Sequence, residues 1–273
     1  MKVKVRGIEY SYTLHQENSD LPYLVLLHGF LGSGKSFESL LTRMSDYCNP
    51  ITIDLLGHGE TEGSEMHYRF SFREQSADLI KLISEQLQSP LFLHGYSMGG
   101  RLAKGIALQR PDLIQGLILE STTFGIENEQ ERQARQALDG RRADSIMGNY
   151  RQFVDEWAKL PLFESKLVSE DAIKHISNIQ KNQNPTWMGN SLLGFGTGTM
   201  PCFKDQLDQL KMPIMLIAGE KDQKFCHIMQ SMQKHLSNSI FHIIKGANHR
   251  VHLECPSEFV LKLHQFITSN TLP

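Results

Sequence analysis

The feature that most restricts what this chain can fold into is a pentapeptide, Gly95-Tyr96-Ser97-Met98-Gly99, set between an apolar run, Leu91–His94, and a helix-forming stretch, Arg101–Leu108. G-x-S-x-G in a strand–turn–helix context marks a turn so sharp that the serine backbone is strained and only glycine-sized neighbours avoid collision. Such a turn lifts the serine hydroxyl clear of the sheet edge. The competing reading is a chance glycine-rich turn, which would need neither flank.

The rest of the chain supplies the sheet that this turn requires. Apolar runs of strand length recur at Tyr23–Leu27, Ile51–Ile53, Leu91–Leu93, Leu117–Leu119, Ile214–Ile217 and Phe241–Ile244, with helix-length amphipathic stretches between them. That alternation specifies an α/β fold, a mostly parallel central sheet with helices on both faces. The opening MKVKVRGIEYSY alternates polar and apolar residues and reads as a strand. Between Ser121 and Thr199 the alternation stops, Glu, Gln and Arg at helical spacing take over, and Gly194–Gly198 reads as a flexible return. The expected organisation is a core of residues 1–120 and 200–273 with a helical cap, 121–199, inserted into it. At 273 residues and 40% hydrophobic content, composition alone accommodates either this arrangement or two small domains.

A serine becomes a useful nucleophile or base only when a histidine takes its proton and an acid orients that histidine. Both partners appear downstream. Ile214–Ala218 ends in Gly-Glu-Lys-Asp222, and Phe241–Ile244 ends in Lys-Gly-Ala-Asn-His249, giving the chain order Ser, Asp, His. Each lies just past the C-terminal end of a strand, where open α/β sheets place their sites. His252 competes for the role of base, but the loop tip favours His249. His28, His58 and His94 stand beside glycine turns and are expected to be structural. His28-Gly29-Phe30 follows the first long apolar strand, so the Phe30 N–H and the Met98 N–H are the expected donors to a substrate oxyanion.

The stretch Gly29-Phe-Leu-Gly-Ser-Gly34-Lys35-Ser36 also satisfies the phosphate-binding pattern G-x-x-x-x-G-K-S, and Asp54 ends the next strand as a magnesium-binding aspartate would. A nucleotide-binding protein is therefore the rival from a different class. It leaves the ordered Ser97, Asp222 and His249 as coincidence, and Gly219-Glu-Lys-Asp222 lacks the asparagine of a guanine-reading motif. If the serine, acid and histidine form the site, Lys35 is an exposed lysine at a helix start.

A formal net charge of -2 supplies no basic face for nucleic acid, and no Lys/Arg-rich tail is present to hold an anionic membrane. No signal-peptide core or membrane-length apolar stretch is visible, so a cytoplasmic protein is expected. The four cysteines, Cys48, Cys202, Cys226 and Cys255, are scattered without metal-ligand spacing and are read as reduced, mostly packed thiols.

Beyond the triad the chain resembles the 2-succinyl-6-hydroxy-2,4-cyclohexadiene-1-carboxylate (SHCHC) synthase (MenH) family, a group with the α/β-hydrolase fold. The likeness runs through LLHGF at 26–30, ITIDLLGHGE at 51–60, GYSMGGR at 95–101, LES at 119–121, ENEQERQAR at 127–135, DEWAKLPLF at 155–163, QNP at 183–185, GTGTMP at 196–201 and LIAGEKDQKF at 216–225. The core stretches are common to many α/β-hydrolases, and the specific part is the cap. The resemblance implies a carbon–oxygen lyase of menaquinone biosynthesis that eliminates pyruvate from a tricarboxylate, SEPHCHC, without hydrolysis. It implies Ser97 as base, His249 as its activator, Asp222 as the orienting acid and the Phe30 and Met98 N–H groups as holders of an enolate oxygen. Tyr96, Arg101, Arg135 and Trp157 fall on substrate-lining positions of the family, and no metal or organic cofactor is implied. One position departs: where the family carries a further cap arginine this chain has Gln180 followed by Lys181, so either Lys181 takes over the charge or that carboxylate is held more weakly. The expected partner is a small anionic substrate, and the expected assembly a monomer or weak homo-oligomer. The alternative within the fold is an ester or carbon–carbon bond hydrolase that works through an acyl-serine.

Overall fold

The structure, a computed structural model, describes residues 1–271. Eight strands form one sheet: β1 (Lys2–Val5), β2 (Ile8–Leu14), β3 (Tyr23–Leu27), β4 (Asn49–Ile53), β5 (Leu91–Tyr96), β6 (Ile114–Glu120), β7 (Ile214–Gly219) and β8 (Ser239–Ile244), in the spatial order β1-β2-β4-β3-β5-β6-β7-β8. β1 pairs antiparallel with β2 and β2 antiparallel with β4, and every pairing from β4 to β8 is parallel. The N-terminal stretch is a correction: it is a hairpin of two strands rather than one. Arg6 at φ 47° and Gly7 at φ 90° turn the chain between β1 and β2, the pair of positive angles that matches the twist of a tight hairpin.

The parallel strands read as unbroken apolar runs because both sheet faces are covered. The helices are α1 (Glu38–Met44), α2 (Phe72–Gln86), α3 (Met98–Gln109), α4 (Glu129–Gly148), α5 (Tyr150–Ala158), α6 (Glu170–Lys181), α7 (Pro185–Phe195), α8 (Gln223–Gln233), α9 (Val251–Glu254) and α10 (Pro256–Asn270), of which α1 to α3 and α8 to α10 supply the cover. Alternate strand residues divide between two cores, as the two-residue strand period requires. On one face Val25, Leu27, Leu93, Leu117 and Leu216 pack with Leu82 of α2, Leu102 of α3 and Met229 of α8. On the other, Leu24, Leu26, Phe92, Ile118 and Met215 face Leu40 of α1 and Phe259 and Leu263 of α10.

Between β6 and β7 the chain leaves the sheet and builds α4 to α7. This insertion has its own small core, in which Ile146, Phe153, Val154, Met188 and Leu192 close over Leu31 of the loop after β3. The Gln183-Asn184-Pro185 motif explains how it is fastened. Gln183 accepts from the Gly59 N–H at 2.9 Å and donates to the Gly32 carbonyl at 3.2 Å, so one amide ties the end of α6 to two core loops. Asn184 then caps α7 by accepting from the Trp187 N–H at 3.1 Å, and Pro185 fills the first helical position. The Gly194–Gly198 return is held rather than flexible, since Arg101 donates to the Phe195 carbonyl at 2.8 Å and Gln136 to the Gly198 carbonyl at 2.8 Å.

Candidate active site

β3 and β5 are hydrogen-bonded neighbours, so the loops that leave their C-terminal ends meet. The chain runs from β3 to β4 on one side of β3 and later places β5 on the other, which opens a crevice at that end of the sheet. Ser97 stands in it, held at φ 51° and ψ -105°, a conformation that non-glycine residues seldom adopt. The flanking glycines have a steric cause. A Cβ on Gly95 would come within 2.5 Å of the Gly100 Cα, and one on Gly99 would strike the Leu27 and His28 carbonyl oxygens.

β7 and β8 are likewise neighbours, and the loops after them bring Asp222 and His249 together. His249 Nδ1 lies 2.5 Å from Asp222 Oδ2, and His249 Nε2 lies 3.2 Å from Ser97 Oγ. Both members of the His–Asp pair are buried. The second Asp222 oxygen accepts the Phe225 N–H at 3.3 Å, which fixes the carboxylate at the start of α8. The His249 loop is braced by Glu254, whose two oxygens accept the N–H groups of Asn248 at 2.7 Å and Arg250 at 3.0 Å.

The other histidines sort as their environments dictate. His252 pairs with Glu120 instead, its Nδ1 2.8 Å from Glu120 Oε1, while His94 Nε2 sits 3.1 Å from Glu120 Oε2. Burial pushes the Glu120 carboxyl up, but His252 and His94 outweigh it and hold the group at about 2. His28 accepts the Leu55 N–H at 3.0 Å through Nε2, so its Nδ1, 2.8 Å from the Gly29 carbonyl, carries the proton; burial lowers its pKa to about 4. His58 is lowered by burial, and then by His28, to about 3. His28 and His58 are neutral struts under the loops.

The phosphate-loop pattern is spent on loop architecture. Asp54 accepts the Gly34 N–H at 2.7 Å through one oxygen and the Glu60 N–H at 2.9 Å through the other, and Lys35 is exposed. Phe30 and Met98 border the cavity beside Ser97, and among the described residues neither N–H donates to a protein acceptor.

The cavity over Ser97 lies between core and insertion. Its larger lobe is walled by Phe195, Leu192, Leu162 and Phe163 and carries the guanidinium groups of Arg101, Arg135 and Arg142. Arg101 is buried, stacked 4.4 Å over the Phe195 ring, and burial together with the nearby Arg135 lowers its pKa to about 9, so it stays charged at neutral pH. Arg135 is gripped through Nε alone, 2.9 and 2.8 Å from the two oxygens of buried Asp139. Its two terminal nitrogens are left for the cavity. Arg142, which the sequence reading missed, reaches the same carboxylate at 3.4 Å and lies 5.2 Å over the Trp157 ring. The signal for it was spacing: Asp139 and Arg142 stand four and seven residues after Arg135, on one helix face.

A smaller lobe on the other side of Ser97 is bordered by Tyr96, Trp157, Ile176, Ile179, Gln180 and Arg250. Gln180 therefore faces the site, but the structure does not bring Lys181 to it. The Lys181 ammonium sits at the outer surface, 2.8 Å from Asp155, because the next residue along a helix points about 100° away. Arg101 and Arg135 border the larger lobe, Tyr96 the smaller and Trp157 both.

A sheet of this order with a serine on a strained turn after β5 and its acid and histidine after β7 and β8 defines a class, and the sequence profile described as alpha/beta hydrolase fold matches residues 22–256. The chain belongs to the α/β-hydrolase fold family. Within that family it is similar to a Bacillus subtilis protein named as a 2-succinyl-6-hydroxy-2,4-cyclohexadiene-1-carboxylate synthase, at 37% identity over 96% of both chains. The synthase of the same name from Salmonella agona is 30% identical, with 90% of this chain and 94% of that one covered. Among solved structures, MenH from S. aureus superposes with a TM-score of 0.88 at 33% identity, covering 96% of this chain and 98% of that one. The chain is thus a member of the SHCHC synthase (MenH) group, while an esterase from Exiguobacterium antarcticum, with a TM-score of 0.81 at 16% identity over 98% of both chains, shares the fold alone. No described helix is long and apolar enough to cross a membrane.

Proposed function

We propose that this protein is an SHCHC synthase of menaquinone biosynthesis, eliminating pyruvate from SEPHCHC through a serine that acts as a base. The observation that carries this reading is the larger lobe, where Arg101, Arg135 and Arg142 stand beside Ser97 and Arg135 and Arg142 share a single carboxylate, Asp139. Uncompensated guanidinium groups in a partly desolvated cavity favour a ligand with several carboxylates, and planar N–H pairs match carboxylate geometry. A neutral ester would leave them without partners.

In this reading His249 Nε2 takes the Ser97 proton as the serine oxygen removes the proton next to the succinyl ketone. Asp222 keeps the imidazole oriented and stabilises its cationic form. The Phe30 and Met98 N–H groups hold the enolate oxygen as charge builds on it. The electron pair of the broken C–H bond passes through the enolate into the ring as a new double bond, and the carbon–oxygen bond to the enolpyruvyl group breaks. The enolpyruvyl group departs as the enolate of pyruvate and takes on carbon the proton that His249 received from Ser97, giving pyruvate and a neutral imidazole, while Ser97 keeps the proton it removed from the substrate. All groups named are supplied by the chain.

Residues 1–120 and 200–273 serve in this account as the core that carries the triad, with 121–199 as the cap that supplies cations and excludes water. The substrate is a free tricarboxylate met in the cytoplasm by a monomer or weak homo-oligomer. Enzymatically generated SEPHCHC supplied to the purified protein tests the reading: pyruvate and SHCHC should appear in equal amounts. Hydrolysis of simple p-nitrophenyl esters at a rate equal to or above that of pyruvate release would favour the hydrolase alternative.

A further inference from the structure

We propose that Arg250 is a substrate-positioning residue that holds one carboxylate of the anionic substrate in the smaller lobe, from the core side. The inference rests on the synthase reading above and adds a residue and a subsite to it.

Ser97, Phe30, Trp157 and Phe163 border both lobes, so a group held in either lies beside the serine. In the larger lobe the cations come from α3, the cap and, at Lys224, from α8. The smaller one has Arg250 as its single Lys or Arg among the bordering residues, since Gln180 is neutral and Lys181 pairs with Asp155 outside. Arg250 is fixed in orientation: Nη2 donates to the Phe163 carbonyl at 3.0 Å, and its guanidinium carbon lies 4.9 Å over the Phe163 ring.

What marks it as a binding group is the lack of a counter-ion among the described residues. Its Nε is buried without an acceptor, as is the Trp157 Nε1 that borders the same lobe. The neighbouring carboxylates are already committed. Glu254 spends one oxygen on the Asn248 N–H and the other on the backbone N–H of Arg250 itself, and Glu120 is engaged by His94 and His252. A partly buried guanidinium without an acid is costly unless something anionic completes it. Because Arg250 directly follows His249, a carboxylate held there is set in register with the base. A guanidinium at position 180 would enter the same lobe from the cap side, so the two positions are interchangeable sources of one charge.

The experiment compares Arg250→Gln, which removes the charge and leaves a shorter polar side chain, with Gln180→Arg and the double variant. Steady-state pyruvate release from SEPHCHC gives KM and kcat, and labelling of Ser97 by a small uncharged fluorophosphonate reports whether the triad is intact. Arg250→Gln should raise KM by about ten- to a hundredfold, the scale of one hydrogen bond to a charged group, with labelling within about twofold of the unchanged enzyme, and Gln180→Arg should recover most of the loss. If KM stays within about twofold, or if labelling falls in step with SEPHCHC turnover and Gln180→Arg restores neither, Arg250 is only a clamp on the Phe163 loop and the inference is overturned. If the unchanged enzyme releases no pyruvate, the synthase reading fails and this subsite falls with it.

Discussion

Replacing Arg135 by alanine probes the larger lobe, and the structure sets the size of the effect. Asp139 is nearly inaccessible and grips Arg135 through Nε at 2.9 and 2.8 Å, leaving the terminal nitrogens free to meet a carboxylate. Losing a charge-assisted hydrogen bond of that kind costs about 1.5–3 kcal/mol, or roughly ten- to 150-fold in kcat/KM for SEPHCHC. A second consequence follows from the shared acid. With Arg135 gone, Asp139 has only Arg142, at 3.4 Å, and draws it away from the cavity. The single variant therefore removes more than one contact, whereas Arg135→Ala with Asp139→Asn releases Arg142 and should recover part of the loss. The assay is steady-state pyruvate release set beside hydrolysis of a small neutral ester by the same preparations. If Arg135→Ala slowed both substrates equally, or neither, Arg135 would be structural or merely solvated and the case for anion binding would fail.

Ser97→Ala, His249→Ala and Asp222→Asn should each lower turnover by several orders of magnitude with the fold kept, and the triple variant should cost far less than the combined single losses, as kinetics on folded protein will determine. ATP and GTP with magnesium should not bind in calorimetric titration, because Asp54 is saturated by the Gly34 and Glu60 N–H groups; micromolar binding abolished by Lys35→Ala would contradict the fold assignment. Lys104 is fully buried against the Thr123 carbonyl, and burial followed by the nearby Arg101 lowers its pKa to about 7. Its charged form is thus disfavoured only in the folded state. The penalty is complete below about pH 7 and fades as pH rises toward the unfolded value of 10.5. Lys104→Met should raise Tm at pH 6 and give a smaller gain at pH 9.5, and a gain independent of pH would contradict the assignment.

The chemistry on the sheet was legible because local rules and the fold demand the same residues there. Gly95 and Gly99 are dictated by backbone collisions inside one turn, and Asp222 and His249 follow strands with clear apolar runs. The cap was less legible because its chemistry depends on side-chain direction. Helical spacing alone ties Arg142 to Arg135, yet that spacing is shared by many solvated faces. In sequence Lys181 stands beside a missing charge, but one step along α6 carries it to Asp155 on the far side. Arg250 gave no sequence signal, since its lobe is formed by α6, the loop after α5 and the loop after β8, which meet only in the folded chain. The N-terminal alternation reads as one strand only when its break is passed over: the apolar positions are Val3 and Val5 before Arg6–Gly7 and Ile8, Tyr10 and Tyr12 after it, a shift of phase that marks the turn.

The mechanism turns on whether Ser97 works as a base and never carries a covalent substrate fragment. Intact-mass spectrometry of the enzyme, quenched during turnover of SEPHCHC, measures this. The protein mass should stay equal to that of the resting enzyme while pyruvate accumulates. An adduct on Ser97 that forms and decays as fast as turnover would overturn the base mechanism and make the protein an acyl-transferring serine enzyme.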